Sequence, residues 1–442
     1  KNGSVNLNLR HEFRSNNEIT ADLDYIKYNS ENNQLFINHI FYPDGSTVSR
    51  DQLSGYLPSD IQILSAKTDY TRTLKNGLKL EAGLKSSFVK TDNEAVYSVL
   101  NSGSWEVDYS KTNHFKYEEN INAAYMNANK QVKKFTFQLG LRFENTNYNG
   151  NQLGNAQRPD SAFERNYNSL FPTAFISYAL DSNNTLTINT GRRIDRPAYQ
   201  QLNPFLFFIN KFTYVIGNPF LQPQYTTNFE VSHSYKGKFN TGLSYSKTKG
   251  YFSQVFKPEG EITVLSQGNV GQQENFGISI GTQVNPVKWW SLSVNANINY
   301  KKVDGFAFDN PVKTEAANGQ LNVNNQFNFN KGWAAELSGF YNTKDVDGQF
   351  TIQPFGQVAA GISKQVLKQK GTVKLSARDI FYTIVIDGQI KYGNVIEHFI
   401  QSHDSRVVNV AFTYRFGKQF KENRQRKTGG ANEEQQRVGA GG

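Results

Sequence analysis

Apolar and polar residues alternate with a period of two along most of the sequence. The clearest run covers residues 135–144, where Phe and Leu occupy the odd positions and polar residues or Gly occupy the even ones. Similar runs cover residues 290–300 and, with an interruption at Asn325, residues 321–329. Because successive side chains of a strand point to opposite faces, each run predicts a strand with one apolar and one polar face. A soluble β-sandwich alternates in the same way, so this pattern predicts an all-β fold without fixing its surroundings.

The connections between these runs are unequal in length. Longer polar loops are predicted at residues 149–166, 195–223 and 379–404. Short turns, rich in Asn and Gly that tolerate positive φ, are predicted at residues 15–17, 75–77, 127–132, 181–184, 236–238, 285–288, 330–332 and 368–371. Short turns at one end of the strands and long loops at the other are typical of transmembrane barrels. The pattern therefore favours an antiparallel outer-membrane β-barrel over a soluble sandwich.

The turns also predict the number of strands. Eight short turns join sixteen strands, and one more strand follows the last long loop at residues 406–416, which makes seventeen. The first strand runs toward the short-turn side, whereas bacterial single-chain barrels have an even strand number with both ends on that side. We therefore expect residues 1–416 to form a barrel domain that lacks its N-terminal strands.

Composition and charge exclude several classes of protein. The mean hydropathy is −0.60 and the longest apolar cluster covers only residues 205–209, so the sequence contains no candidate transmembrane helix. The net charge is +10, but the basic residues are dispersed, and we predict no nucleic-acid partner. Because the chain has no cysteine, it can form neither a disulfide nor a thiolate metal site.

Candidate catalytic and metal-binding residues are few. The sequence has no Gly-x-Ser-x-Gly elbow, no phosphate-binding glycine loop and no zinc-type His pair, so we predict no enzyme, cofactor or metal. His398 and His403, together with Glu397 and Asp404, could form a loop metal site, although solvated loop residues are the favoured interpretation. A hydrolase with a scattered Ser–His pair stays a minor alternative.

The sequence ends with an alternating strand and a polar tail. The strand at residues 406–416 closes the barrel domain and ends in Phe412, Tyr414 and Phe416. Such an element is read by barrel-assembly machinery, and it is also an ordinary lipid-facing strand. Residues 417–442 are polar, basic and glycine-rich without periodicity, and we predict that they form a disordered polar periplasmic tail.

Two motifs, at residues 192–205 and 217–223, resemble a known family, and residues 171–174 and 414–418 fit it too. They resemble the outer-membrane β-barrel family of Bacteroidota, relatives of the TonB-dependent receptors, over essentially the whole chain. The motif residues that could make loop or ligand contacts are Arg192, Arg193, Arg196, Pro197, Tyr199, Leu202, Asn203, Pro204, Gly217, Asn218, Pro219 and Pro223.

The resemblance implies an integral protein of the bacterial cell outer membrane. Its barrel would have about 22 strands around an N-terminal plug domain. The predicted strands would then be the C-terminal part of that barrel, and the plug domain would be missing here. The implied partners are outer-membrane lipid, the protein's own plug domain, the TonB energy-coupling complex acting through the missing N-terminal region, and the barrel-assembly machinery.

The implied function is TonB-dependent-receptor-like transport, in which extracellular loops capture an unknown bulky ligand and a plug-gated lumen takes up that nutrient actively. The alternative is a non-transporting outer-membrane barrel that serves as a surface-binding protein or adhesin, an assembly factor or a passive pore. A TonB-engaging segment upstream in the intact gene would favour transport, and its absence would favour the alternative.

The three arginines of the first motif allow two interpretations. Arg192, Arg193 and Arg196 could contact the carboxylate or phosphate groups of a ligand, or contact the plug, because guanidinium groups bind such oxygens in pairs. In the second interpretation, which we favour, the prolines and Asn203 fix a loop that folds over the barrel mouth, and the arginines pair with acids of that loop.

Overall fold

The computed structural model describes residues 1–13, 16–260, 262–308, 310–392, 395–417 and 429–439. Strands dominate the described residues, with two short helices, α1 (Tyr199–Leu202) and α2 (Asn432–Gly439), and a 3-10 turn at Asn330–Gly332. The strands are β1 (Asn2–Phe13), β2 (Asn17–Phe41), β3 (Thr47–Thr73), β4 (Lys79–Asn101), β5 (Ser104–Val107), β6 (Asn113–Val132), β7 (Phe135–Leu153), β8 (Ser161–Ala179), β9 (Asn184–Asp195), β10 (Leu206–Asn210), β11 (Thr213–Ile216), β12 (Gln224–Tyr235), β13 (Phe239–Glu259), β14 (Ile262–Val287), β15 (Trp290–Ala307), β16 (Asn310–Asn328), β17 (Trp333–Asn342), β18 (Asp345–Asp347), β19 (Phe350–Ile352), β20 (Phe355–Val366), β21 (Gly371–Arg378), β22 (Val385–Tyr392), β23 (Val395–Ser402) and β24 (Val407–Tyr414).

One large antiparallel sheet forms the wall of the barrel. It contains twenty strands among the described residues, of which β5, β10 and β11 are short loop strands, and the other seventeen pair in chain order. Their ladders are long, with 25 residue pairs joining β2 to β3. The predicted antiparallel outer-membrane barrel of seventeen strands is therefore confirmed.

The two faces of the wall differ as the alternation predicts. On β7, Leu139, Leu141 and Phe143 are 42–59% exposed, whereas Glu144 and Thr146, which follow them on the opposite face, are at most 3% exposed. We call the face that carries Glu144 the inner face and the opposite face the outer face. An apolar outer face suits lipid, and long paired strands satisfy the backbone hydrogen bonds there.

The short turns lie close to their predicted places, with two differences. Strand β6 continues through the turn predicted at 127–132 and ends at Val132, and β14 likewise continues to Val287. Residue 15 of the first predicted turn lies outside the described residues. Lys133, Lys236 and Lys331 have φ between 51° and 61°. Lysine thus occupies turn positions for which Asn or Gly was expected.

The three predicted polar loops are more regular than expected. Strands β7 and β8 stay paired up to Gln152 and Ser161, so only a short loop remains of residues 149–166. Residues 195–223 contain α1, β10 and β11, and residues 379–404 contain β22 and β23. The predicted loop at residues 149–166 is therefore much shorter than expected, because backbone pairing continues where both strand faces become polar. The other two predicted loops remain loops, but they contain short elements of their own.

A second, four-stranded sheet joins two of the loops. It consists of β18 and β19 from one loop and β22 and β23 from another, and β19 pairs with β22 over residues 350–352 and 388–390. Asp379 pins the second loop, because its fully buried carboxylate accepts hydrogen bonds from the Thr383 N–H (2.8 Å) and from the Ser405 hydroxyl. The ladder between β19 and β22 therefore joins the two loops in one compact layer, and Asp379 holds the second loop in place.

The wall has two unpaired edges in the described part of the chain. Strand β1 pairs with β2 alone, and β24 pairs with β21 alone. Val5 on β1 and Val410 on β24 are 62% and 76% exposed. Both edges therefore present free backbone groups.

The tail differs from its prediction. Residues 418–428 lie outside the described residues, but residues 429–439, which we call the C-terminal segment, contain α2 and lie against the inner face. Ala431 and Glu434 of this segment are each 1% exposed. The expectation of a disordered tail is therefore wrong for residues 429–439. No helix among the described residues is long and apolar enough to span a membrane.

Candidate functional site on the inner face

The loop after β9, residues 196–223, begins with a short helix between two prolines, and we call it the motif loop. Pro197 precedes α1 and Pro204 follows it, and a proline has no N–H with which to continue a helix. The Ala198 N–H donates a hydrogen bond to the Gln201 side-chain oxygen (2.8 Å), and the Asn203 N–H closes the turn on the Gln200 carbonyl (3.2 Å). The first motif therefore fixes a single tight turn of the chain.

The second motif packs directly on the first. The Asn218 N–H donates a hydrogen bond to the Gln201 carbonyl (2.6 Å). A Cβ atom on Gly217 would lie 2.1 Å from the Asn203 carbonyl oxygen, so only glycine allows this approach. The Asn218 side chain reaches the Gln267 carbonyl on β14 (3.0 Å), and Pro219 follows it in a turn. Pro223 ends the loop directly before β12. Each of the two motifs therefore positions the other.

Apolar side chains hold the motif loop inside the barrel. Its four anchors are only 2–3% exposed, and each contributes about 1.5–3 kcal/mol by burial. They pack in one cluster with inner-face aromatic residues of β4, β6 and β7. The Tyr97 hydroxyl also donates to the Leu206 carbonyl (2.8 Å). The anchors are Tyr199, Leu202, Phe205 and Leu221.

Arg196 joins the motif loop to the wall by an ion pair. Its guanidinium donates to the Glu144 carboxylate (2.6 Å), the Thr146 hydroxyl (3.1 Å) and the Tyr167 hydroxyl (3.1 Å). The side chains of Arg196 and Glu144 are 9% and 4% exposed. The favoured interpretation placed the partner acid in the loop, whereas the structure places it on β7.

Arg192 and Arg193 differ from Arg196 in their surroundings. The Arg192 guanidinium lies 4.7 Å from the centre of the Tyr225 ring and donates one long hydrogen bond to the Leu170 carbonyl (3.3 Å). Arg193 is exposed. Both line a cavity of about 420 Å³, together with Arg142, Glu144, Asp195 and Glu433. This cavity contains charges of both signs and is the part of the inner face that a polar ligand group could enter.

The C-terminal segment contributes a further buried ion pair, which the sequence analysis missed. Arg437 donates to the Glu119 carboxylate on β6 and to the Pro197 carbonyl (2.9 Å), and its guanidinium lies 4.3 Å from the centre of the Tyr199 ring. Its partners precede it by hundreds of residues. The sequence did contain one signal, which is the charge at inner-face positions such as Glu119 and Glu144. A carboxylate buried there needs an oppositely charged partner.

The surroundings keep both buried arginines charged. Burial alone would lower the pKa of Arg196, but Tyr167 and the carboxylates of Glu144 and Glu119 raise it above its ordinary value. Burial also opposes the charge of Arg437, and Glu119 raises the pKa of Arg437 well above its usual range. Both guanidinium groups therefore stay charged at any physiological pH.

The remaining predicted residues lie away from the inner-face site. Phe412, Tyr414 and Phe416 are 61%, 47% and 88% exposed, and Phe412 and Tyr414 pair with β21. His398 contacts Asp387 (2.7 Å), and no group of three possible metal ligands occurs in the part of the chain that the structure describes.

The wide antiparallel wall with its apolar outer face defines an integral β-barrel protein of the outer membrane. Residues 11–414 match the outer membrane protein beta-barrel family, and the chain belongs to that family. No curated protein matches the sequence.

Several solved outer-membrane receptors have a similar fold. The siderophore receptor PiuA from Acinetobacter baumannii is 14% identical with a TM-score of 0.66, and the match covers 93% of this chain and 64% of PiuA. The ferric-catecholate import receptor Fiu from E. coli K12 is 12% identical with a TM-score of 0.65, covering 94% of this chain and 64% of Fiu. For the ferric yersiniabactin uptake receptor FyuA from Yersinia pestis, the identity is 11%, the TM-score 0.63, and the coverage 94% and 61%. The chain thus spans less than two thirds of the length of these receptors, and these similarities show the fold.

Proposed function

We propose that this chain is the barrel part of a TonB-dependent-receptor-like transporter that captures a bulky nutrient with its extracellular loops. One observation carries the proposal: 93–94% of the chain has a fold similar to that of a siderophore receptor and of a ferric-catecholate import receptor. The compact extracellular layer and the motif loop supply surfaces for capture above and inside that wall.

The cavity beside the motif loop is the proposed contact for ligand or plug. Arg192 and Arg193 line it, and Arg193 is exposed, so its guanidinium is free to bind carboxylate or phosphate oxygens. Arg196 has a different role, because Glu144 already holds its guanidinium. It positions the loop that carries the other two arginines.

The unpaired edges support further strands in the complete barrel. Each unsatisfied backbone group in lipid costs several kcal/mol, so β1 and β24 need partner strands. Further strands that join these two edges would bring the total to the about 22 strands that the resemblance implies. We propose a Bacteroidota protein in which a plug domain binds the polar inner-face rows that the motif loop and the C-terminal segment leave uncovered, and the TonB complex acts on that plug. The barrel-assembly machinery would recognise β24.

The decisive experiment sequences the native gene upstream of Lys1 and measures energised uptake. A signal peptide, a plug-sized domain and the partner strands, together with uptake that a proton-motive-force uncoupler abolishes, are the expected results. A start codon close to Lys1, or uptake that the uncoupler leaves unchanged, would overturn active transport.

A second candidate is a non-transporting barrel that acts as an adhesin, an assembly factor or a passive pore. The observation that favours it is the covering of the inner face from β2 to β7 by the motif loop and the C-terminal segment, which narrows any path along that wall. An intact gene without a TonB-engaging segment would select this candidate.

A further inference from the structure

The C-terminal segment makes polar contacts with successive strands of the inner face. The Gly430 N–H donates to the Asp24 carboxylate on β2 (2.7 Å). Glu434 accepts from the Lys85 ammonium on β4 (3.0 Å), and Arg437 donates to Glu119 on β6. The three contacts alternate in charge along the wall, so they fix both the place and the direction of the segment.

These contacts are buried on both sides. The side chains of Lys85 and Glu119 are 4% and 3% exposed, and that of Glu434 is 1% exposed. Within the described residues, the ion pairs of Lys85 are made with Glu433 and Glu434 alone. A buried charge without a partner is strongly unfavourable, so this wall is complementary to a segment that brings these charges.

Close backbone approach adds a steric match. A Cβ atom on residue 429 would lie 2.1 Å from the nearer Asp24 carboxylate oxygen, and one on residue 430 would lie 3.1 Å from the Lys67 Cβ. Gly429 therefore allows the chain to touch β2 directly, whereas a Cβ on residue 430 fits tightly beside β3 after a shift of a few tenths of an ångström. The next residue, Ala431, is 1% exposed within the main apolar cluster.

The segment also contacts the motif loop. Arg437 donates to the Pro197 carbonyl, and the Gln200 side-chain amide donates to the Val438 carbonyl (3.1 Å). The C-terminal segment thus lies between the wall and α1, in contact with both.

We propose that the inner face from β2 to β7 is a docking site for the chain's own C-terminal segment. The docked segment covers this side of the lumen and holds the motif loop against the wall. This role is independent of energised transport, since it requires only that residues 429–439 reach the inner face.

A disulfide cross-link tests the docking in the full-length protein. An ideal Cβ on residue 430 lies 3.4 Å from the Ser65 hydroxyl oxygen, and the chain has no cysteine of its own. The pair Ser65→Cys with Gly430→Cys should therefore form an intramolecular disulfide under mild oxidation in native outer membranes. The control pair Ser293→Cys with Gly430→Cys places the first cysteine on β15, far along the sheet, and should stay reduced. Equal yields from both pairs, or no disulfide from the first pair, would overturn the proposal and assign the inner face to another occupant.

A charge exchange tests the recognition itself. In the cross-linking background, Arg437→Glu should lower the ratio of docked to released segment by about 100-fold, because it breaks a buried ion pair. Adding Glu119→Arg should restore the cross-link, and Gln436→Ala, at an exposed position of the same helix, should leave it unchanged. The single variant Arg437→Glu changes only the C-terminal segment and leaves the sequence of the barrel wall unaltered. Unchanged cross-linking in Arg437→Glu would therefore contradict the proposal whether or not Glu119→Arg folds.

Discussion

Arg196 and Arg192 belong to the same motif, and replacing each one singly tests which of them holds the motif loop against the wall. Arg196→Ala removes the guanidinium that binds Glu144, Thr146 and Tyr167, at a side chain that is 9% exposed. Arg192→Ala serves as the matched control. It removes contacts with the rings of Phe171 and Tyr225 and one long hydrogen bond at a half-buried position.

The contacts set the expected magnitudes. A hydrogen bond to a charged group contributes about 1.5–3 kcal/mol, but Arg142 still pairs with Glu144 after the change and limits the loss. We therefore expect Arg196→Ala to lower the free energy of opening of the motif loop by about 3 kcal/mol, on the order of a 100-fold increase in the open population. For Arg192→Ala the loss of two cation–π contacts, about 0.5 kcal/mol each, raises the open population by about fivefold.

Amide hydrogen exchange measures this opening directly. Exchange of residues 198–205 is followed by mass spectrometry in the full-length protein in lipid nanodiscs, with β15 as the internal reference. Faster exchange in Arg196→Ala than in Arg192→Ala, with β15 unchanged, is the expected result. Equal acceleration in the two variants would refute the reasoning that the ion pair to the wall holds the loop.

Three further changes have defined outcomes. Gly217→Ala forces a Cβ to within 2.1 Å of the Asn203 carbonyl oxygen, and should destabilise the motif loop by about 1–3 kcal/mol in the same exchange assay; unaltered exchange would contradict the packing of the two motifs. Burial alone would raise the pKa of Asp379, but the hydrogen bonds from Ser405, Thr383 and Ile384 lower this pKa below its ordinary value. The ionised carboxylate therefore stabilises the loop above about pH 3.9, and this stabilisation is lost as the pH falls further. Limited proteolysis of residues 379–406 should therefore increase below about pH 4, and in Asp379→Asn already at pH 7, whereas a pH-independent wild type would argue against this role. Val410→Arg on the outer face should cost about 2–4 kcal/mol and lower the heat-modifiable folded fraction on gels, and the inner-face change Asn409→Arg should be tolerated; the reverse order would contradict the assignment of faces.

The fold was predictable because strand periodicity is local. The alternation at residues 135–144 identifies the faces of β7, and the chain-order pairing follows from short turns. The ends of the strands that lead into the predicted long loops were not predictable in the same way. Residues 149–152 are polar or glycine on both faces, which is the pattern of a loop, yet β7 continues to Leu153 because its neighbours β6 and β8 supply the backbone hydrogen bonds.

The site was only half predictable. The paired motifs identify the loop, and the glycine at position 217 signals a close backbone approach. The ion-pair partners of the charged residues could not be predicted, because the alternation along a strand indicates the face on which a side chain lies but not its position along the barrel axis. Arg196 and Glu144 are 52 positions apart, and Arg437 and Glu119 are 318 apart, so the matches arise only when the wall curves around the loop.

The ladder between β19 and β22 turns two loops into one surface. Residues 350–352 and 388–390 belong to different loops, yet they share backbone hydrogen bonds in a single small sheet. An antibody raised against this sheet therefore recognises a discontinuous epitope, and a linear peptide from either loop does not reproduce it. For the same reason, a substitution that shifts the backbone of one loop displaces the other loop as well.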